Sequence, residues 1–303
     1  MTFPGGAAAF HGLPGAVRAA FWLIAAGTLF LLMMALSRLV TDELHVLLVV
    51  FWRAAFGLVA MAPWLARRGR AALATRKLRY HALRTALSYA GLLCTFYAVT
   101  MLPIADITAI TFIRPVVATL LAIAILGEKS RTRRWIAIAV GIVGATIIIR
   151  PGFQELNPGV FLVFGLVLVG ATHAILARYI VRYDSPDAVA MYMVLFLLAF
   201  SAGPAVAVWQ WPNLDQLPYL VAIGFFGTFS QRCLARAFHA ADASVVVSFD
   251  YLRLPIAAAI GFLFFAEIPD IWVWAGGGVI CVSSILLARG ESAAERAGGG
   301  SAR

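Results

Sequence analysis

Charged residues are scarce in this chain of 303 residues: 13% are Asp, Glu, Lys or Arg, whereas 62% are hydrophobic. Soluble domains carry about 25% charged residues, so this composition excludes an ordinary soluble domain. Divided into spans of about 20 residues with short connections, a chain of this length yields roughly ten membrane helices. We therefore predict an all-α integral membrane protein.

Cysteine is also scarce. The three cysteines, Cys94, Cys233 and Cys281, lie inside apolar runs at unrelated spacings, which predicts neither a disulfide framework nor a metal site. The sequence also lacks a glycine-rich phosphate loop followed by lysine, a His/Cys metal spacing and a glycine-flanked nucleophilic serine. These absences argue against an enzyme, a resident cofactor and an ATP-driven pump within one chain.

Apolar runs bounded by charge, proline or glycine define the helices. Ten such runs occur, at about 18–40, 45–65, 82–101, 105–127, 134–150, 158–180, 188–209, 218–238, 243–266 and 271–289. The connections between several of them are only a few residues long, so neighbouring helices must return antiparallel. The terminal stretches 1–17 and 290–303 are rich in small residues, and we expect both to be disordered.

Basic residues are distributed unevenly between the gaps, within a formal net charge of +10. Seven lie between spans 2 and 3: Arg67, Arg68, Arg70, Arg76, Lys77, Arg79 and Arg84. The connections between spans 4 and 5, 6 and 7, and 8 and 9 are also basic, whereas the alternate gaps hold only Arg38 and Arg150. The positive-inside rule then places both termini in the cytoplasm. This placement accounts for the positive charge, so we expect no nucleic-acid partner.

The two halves of the chain share an internal repeat. After Arg114 and after Arg253, a glutamate, a tryptophan and a second arginine follow at offsets of 14, 21 and 36 residues. The matched residues are Glu128, Trp135 and Arg150 in the first half and Glu267, Trp274 and Arg289 in the second. A proline lies close to each leading arginine, at Pro115 and Pro255.

Each repeat contains five spans, which is an odd number, so the halves must cross the bilayer in opposite directions. We place the first repeat at 18–150 (spans 1–5) and the second at 157–289 (spans 6–10). Inverted repeats are the architecture of secondary transporters, because rocking one half against the other opens a central site to each side in turn. The predicted fold is therefore ten transmembrane helices in two inverted five-helix repeats.

The stretches at 105–152 and 243–280, which carry these repeated residues, resemble the EamA-type branch of the drug/metabolite transporter superfamily. The resemblance covers about 17–290 and implies a multi-pass carrier of small metabolites in the bacterial inner membrane. Members of that superfamily handle amino acids, purine-like compounds, S-adenosylmethionine, riboflavin and organic acids, so the resemblance leaves the substrate open. One departure is Ala266, which stands where the family usually has glycine.

Charges within spans are the strongest candidates for substrate binding. Arginine at the bilayer centre costs about 2.5–3.5 kcal/mol on insertion scales, so such residues should face protein or water. Four charged residues lie near span centres, namely Arg53, Arg114, Asp250 and Arg253. Asp250 and Arg253, three positions apart, share a helix face and can pair. An alternative role for the arginines is structural, through hydrogen bonds to carbonyls freed by the nearby prolines.

Three further residues are secondary candidates for the binding site. Tyr97 and Tyr251 carry hydroxyl groups that a buried site must satisfy. His173 lies among small residues in the middle of span 6, where it could act as a proton-linked switch or as a hydrogen-bonded packing residue. Asp250 is the rival proton carrier, and proton coupling itself stays open.

Two glutamates end spans 4 and 9 and are candidates for gating or structural ion pairs. A carboxylate at a helix C-terminus is unfavourable unless a cation lies close. Glu128 has Lys129 and Arg131 beside it in the sequence, whereas Glu267 lacks an adjacent cation and could pair with a residue such as Arg38.

The sequence thus predicts a secondary-active carrier that works by alternating access on an amino-acid-like, carboxylate, nucleoside-like or cofactor-like metabolite. The basic interior favours anionic or zwitterionic cargo. A channel and a non-transporting membrane scaffold are the alternatives from other classes. Uptake of S-adenosylmethionine or riboflavin, export of a metabolite, the coupling by proton or counter-substrate and the oligomeric state all stay open. The expected partners are the substrate and membrane lipid.

Overall fold

The computed structural model describes residues 15–69, 73–114, 116–117, 120, 132–149, 157–240 and 252–283. Ten helices run through this part of the chain. They are α1 (Gly15–Thr41), α2 (Val46–Arg68), α3 (Leu78–Val99), α4 (Ile104–Thr111), α5 (Thr132–Ile149), α6 (Gly159–Ile180), α7 (Pro186–Ala207), α8 (Leu217–Ala240), α9 (Arg253–Phe265) and α10 (Ile271–Ser283).

Several helices are long and apolar enough to cross a membrane. Four meet both criteria over the ranges Val17–Thr41, Val46–Arg68, Leu78–Val99 and Pro186–Ala207, and four shorter apolar helices accompany them. Large apolar side chains also point outward, for example Phe161 and Leu263, which are 67% and 76% exposed. Such exposure suits a lipid-facing surface, where apolar side chains meet acyl chains rather than water.

Contacts between connections divide the bundle into two faces. The basic face contains the α2–α3 and α6–α7 connections, where Asp184 contacts Thr75 and His81, each at 2.7 Å. On the same face Lys77 donates a hydrogen bond to the Tyr179 hydroxyl at 2.9 Å, which raises the pKa of Lys77. These two described connections therefore lie on the same face of the bundle.

The second face, called here the opposite face, contains the α1–α2, α3–α4, α7–α8 and α9–α10 connections. Glu43 of the α1–α2 connection accepts a hydrogen bond from Gln216, just before α8, at 2.8 Å. This contact corresponds to that of Asp184 on the basic face, because each joins the connection after the first helix of one repeat to the start of the third helix of the other.

Helix packing follows a pseudo-two-fold pattern in which helices of one repeat pack against helices of the other. α1 packs along α8, and correspondingly α6 packs along α3. α9 lies against α1 and α4 against α6, while the pairs α2 with α7 and α4 with α9 contact each other directly. We call α1, α8 and α9 the first helix group and α3, α4 and α6 the second. Since α1 begins and α6 ends at the basic face, the two repeats are inverted, as predicted.

The fourth span departs from the uninterrupted helix that its apolar sequence predicts. α4 ends at Thr111, the chain turns at Phe112 and Ile113, and helical residues resume at Arg114. Proline has no backbone N–H, so Pro115 cannot donate the hydrogen bond that a continuous helix would direct to the carbonyl of Thr111. The interruption places Arg114 at the start of a new helical segment, just as Arg253 starts α9.

Candidate functional site

A cavity lies between the first and second helix groups. Small-molecule sites usually combine apolar walls with a few placed polar groups. The apolar part of this wall comes from residues such as Phe30, Met34, Leu92 and Ile107. Its position between the two symmetry-related groups is where an inverted-repeat carrier holds its substrate.

Arginine supplies every charged side chain among the described residues of the cavity wall: Arg53 from α2, Arg114 from the segment after α4 and Arg253 from α9. Hydroxyl groups from Ser88, Thr95, Thr108, Thr111 and Ser230 complete the polar part of the wall together with Gln231 and His173. Four of these hydroxyls already donate to backbone carbonyls, so the arginines supply most of the wall's free donors as well as its positive charge. Such a surface favours ligands with acceptor oxygens or negative charge.

Arg53 is the most deeply buried of these arginines, with 4% of its surface exposed. Its Nε donates to the thioether sulfur of Met33 at 3.2 Å, and a thioether is a weak acceptor. The guanidinium lies against Gly227 of α8, where a Cβ atom would come within 2.5 Å of Nε. Glycine at 227 thus provides the space that this guanidinium occupies.

Arg114 and Arg253 also lie against glycines. In each case the glycine belongs to another helix of the same group. A Cβ at Gly170 of α6 would approach Nε of Arg114 to 2.9 Å, and one at Gly27 of α1 would approach Cδ of Arg253 to 3.0 Å. Arg253 reaches across the cavity, where its Nη2 donates to the hydroxyl of Thr111 at 3.2 Å. This bond connects α9 of the first group to α4 of the second.

Sequence reasoning missed a buried arginine at the basic-face end of the cavity. Arg84 was counted with the connection between spans 2 and 3, but it lies in α3 with 2% of its surface exposed. Its Nη2 donates to Oε1 of Gln231 on α8 at 3.1 Å. Helical spacing could have indicated its position. Arg84 lies one turn before Ser88 on the same helix face, and Ser88 lines the cavity.

Glu267 lies beyond the opposite-face end of the cavity, since its partners Arg38 and Ile104 are one turn away from the wall residues Met34 and Thr108. Its carboxylate contacts Arg38 at the end of α1, the partner that the sequence analysis considered. The second carboxylate oxygen accepts a hydrogen bond from the backbone N–H of Ile104 at 3.2 Å, where the N-terminus of α4 favours negative charge. Glu267 therefore joins the first helix group to the second.

The remaining predicted residues fall in different places. His173 lines the cavity from α6. Tyr97 lies outside the cavity wall and packs, half-buried, against the hydrophobic cluster between α1, α2 and α7. Three residues, Asp250, Tyr251 and Glu128, lie outside the residues that the structure describes.

Comparison with known proteins agrees with this arrangement. The EamA-like transporter family matches twice, at residues 17–150 and 157–289. A riboflavin transporter of Brucella anthropi is 30% identical over 82% of this chain and 90% of its own length. An S-adenosylmethionine uptake transporter of Rickettsia prowazekii is 26% identical over 84% of this chain and 87% of its own.

A solved structure shares the fold, with a TM-score of 0.63 at 16% identity over 89% of this chain and 97% of that one. The family match and the two transporter relatives confirm the predicted class: the chain is a multi-pass membrane protein that transports a small metabolite, and it is not an enzyme. Two inverted five-helix repeats around a central cavity, together with a family match in each repeat, make this chain a member of the EamA-like transporter family.

Proposed function

We propose that the protein is a secondary-active carrier for riboflavin or a closely related flavin and that it lies in the bacterial inner membrane. The basic face lies in the cytoplasm together with both termini, as the positive-inside rule requires. The substrate occupies the central cavity, which opens to each side in turn as the two helix groups move.

The positive cavity wall is the observation that carries the choice of substrate. Riboflavin presents ring carbonyl oxygens, which suit the guanidinium donors of the wall, and ribityl hydroxyls, which can donate to the oxygens of the wall hydroxyls. Its planar ring can stack on Phe30, which lies 5.9 Å from the Arg253 guanidinium. The riboflavin transporter among the relatives supports the same choice.

S-adenosylmethionine is the second candidate, supported by the relative from Rickettsia prowazekii. Its sulfonium group is a cation, which the arginines of the wall repel, whereas its carboxylate would be attracted. A flavin places no positive charge in the cavity. The electrostatics of the described wall therefore favour the flavin.

Uptake into proteoliposomes tests the proposal. Radiolabelled riboflavin is expected to accumulate with saturation, and excess unlabelled riboflavin should compete more strongly than S-adenosylmethionine. Arg53→Gln should reduce kcat/KM about tenfold, since a hydrogen bond to a charged group contributes about 1.5–3 kcal/mol. Arg67→Gln is the matched control, because Arg67 is exposed on the same helix.

The alternatives give different results in the same vesicles. Flux without saturation, accompanied by single-channel currents, indicates a channel. Absence of flux with retained binding indicates a scaffold. If S-adenosylmethionine competes more strongly than unlabelled riboflavin, S-adenosylmethionine is the substrate instead of a flavin. Imposing a pH gradient or preloading the vesicles with riboflavin distinguishes proton coupling from exchange.

A further inference from the structure

The basic-face end of the cavity contains polar groups that the described structure leaves unsatisfied. Nε of Arg84 is buried and has no hydrogen-bond partner among the described residues. The same is true of Nε2 of His173, which lies on α6 and lines the cavity. Buried polar atoms in native proteins nearly always have a partner, so each exception requires an explanation.

Gln231 places Arg84 next to the cavity. The amide of Gln231 lines the wall from α8, and its Oε1 accepts the 3.1 Å hydrogen bond from Nη2 of Arg84. Ser88, one turn after Arg84 on α3, lines the same wall. His173 faces the cavity about two turns before the end of α6, and Arg84 lies about two turns after the start of α3, so the two residues lie at a similar depth. Arg84 and Gln231 therefore contact each other at one end of the cavity, and His173 lies at the same depth in its wall.

A purely structural role does not account for this arrangement. An arginine that holds helices together is usually paired with a carboxylate, as Arg38 is with Glu267. Arg84 is less exposed than Arg38, yet its one hydrogen bond in the described part of the chain goes to a neutral amide. Burying a guanidinium without a countercharge is expensive, and a bound ligand that supplies acceptor oxygens would offset this cost.

We propose that Arg84 and Gln231, together with His173 on the same cavity wall, form a binding subsite for two adjacent acceptor atoms of the transported molecule. The planar guanidinium matches either the two oxygens of a carboxylate or a carbonyl oxygen and the neighbouring ring nitrogen of a heterocycle. This inference rests on the proposed carrier function and specifies which end of the cavity holds the polar group of the substrate. Arg84 belongs to the second helix group and Gln231 to the first. A ligand at this subsite would therefore contact both helix groups at the point where a hydrogen bond joins them.

Binding to the purified full-length protein tests the subsite with three probes. Riboflavin and lumiflavin share the ring carbonyls and ring nitrogens, and lumiflavin lacks the ribityl chain, whereas L-glutamate carries carboxylates and an ammonium group but no ring. Equal weakening of riboflavin and lumiflavin by a subsite variant assigns the subsite to the ring. Weakening of L-glutamate alone assigns it to a carboxylate.

Gln231→Glu is the most informative variant. The new carboxylate forms an ion pair with Arg84 and occupies the donors that the ligand needs, so the Kd should rise about tenfold while the melting temperature stays the same or increases. Arg84→Gln and Arg84→Lys should also weaken binding, since glutamine lacks the charge and lysine lacks the planar fork. Arg79→Gln, exposed on the same helix, should leave the Kd unchanged.

The outcomes separate the two proposals. If the wild-type protein binds none of the three probes, the proposed substrate class is wrong. If it binds a probe and Q231E and R84Q both keep the Kd within about twofold, the subsite is wrong although the carrier function stands. Wild-type affinity in R84K would overturn the proposed paired contact between the guanidinium and two adjacent acceptors of the ligand.

Discussion

At the opposite face of the bundle Arg38 is paired with the carboxylate of Glu267, whereas at the basic face Arg84 is buried against the neutral amide of Gln231. Each site also joins the first helix group to the second, one through the hydrogen bond between Ile104 and Glu267 and the other through the hydrogen bond between Arg84 and Gln231. The opposite-face end satisfies its charge within the protein. The basic-face end leaves donor capacity for a ligand, so the same residue type serves structure at one end of the cavity and binding at the other.

The cavity centre resembles the basic-face end in this respect. Arg53 lies on a glycine and donates to a thioether. If a guanidinium binds substrate, replacing the glycine against which it lies should reduce the affinity for substrate. If it has a structural role, removing its carboxylate partner should reduce the free energy of unfolding. Three substitutions separate these two responses, and a fourth tests the backbone at the end of α9, next to Glu267.

Gly227→Ala should have the largest effect. The added Cβ would lie 2.5 Å from Nε of Arg53, so the guanidinium must leave its position in the cavity wall. Substrate affinity is expected to fall by about 2–3 kcal/mol, measured as the riboflavin Kd. Gly203→Ala on α7 is the control, since nothing lies within 4 Å of a Cβ there. Equal affinity in both variants would show that the position of Arg53 does not matter for binding.

Glu267→Gln should lower the free energy of unfolding by about 1–3 kcal/mol, because it leaves the half-buried Arg38 without its carboxylate. Thermal unfolding in detergent measures the change, and the riboflavin Kd should stay within about twofold. Glu43→Gln serves as the control, since that exposed carboxylate contacts the neutral amide of Gln216. A large loss of affinity in E267Q without a loss of stability would reverse the assignment of this end.

Gly170→Ala should weaken binding by about 1 kcal/mol. The new Cβ would approach Nε of Arg114 to 2.9 Å, a milder clash than at Gly227, and the side chain can shift to relieve part of it. Gly278→Ala on α10 provides the control in open space. An effect as large as that of G227A would mean that Arg114 is held as rigidly as Arg53.

Ala266→Gly should have the smallest effect and should raise stability by about 0.5–1 kcal/mol. Ala266 ends α9 in the left-handed conformation, with φ 53° and ψ 28°, which glycine adopts without steric cost. Ala259→Gly, at an exposed position within the same helix, should lower stability by about 0.5–1 kcal/mol. Riboflavin binding should be unchanged in both, and the same sign of stability change in both would contradict the prediction.

The helices and their inverted arrangement could be predicted from the sequence because hydrophobic runs and the equal offsets after Arg114 and Arg253 are local properties of the chain. The placement of Arg53, Arg114 and Arg253 in the cavity wall followed from the cost of exposing arginine to lipid. Arg84 escaped the same reasoning because it follows a run of basic residues, and composition alone does not tell where a basic connection ends and a buried helix begins.

Two features of the site depend on how helices face each other. The glycines under the arginines lie on other helices, more than 50 residues away in the chain in each case. Tyr97 was predicted in the cavity on the strength of its hydroxyl, but the rotation of α3 directs it into a hydrophobic cluster. Helix rotation and helix crossings are set by packing between elements, which sequence periodicity does not specify.

The packing of helices of one repeat against helices of the other has a consequence for biogenesis. α1 is covered by α8 and α6 by α3, so the first repeat leaves the translocon before the helix that covers α1 has been synthesised. The N-terminal half must then remain in the lipid with the faces of α1 and α3 that contact the second repeat still uncovered by protein. Expressed alone, it should be degraded rapidly, whereas co-expression of both halves as separate polypeptides should restore a protease-resistant assembly.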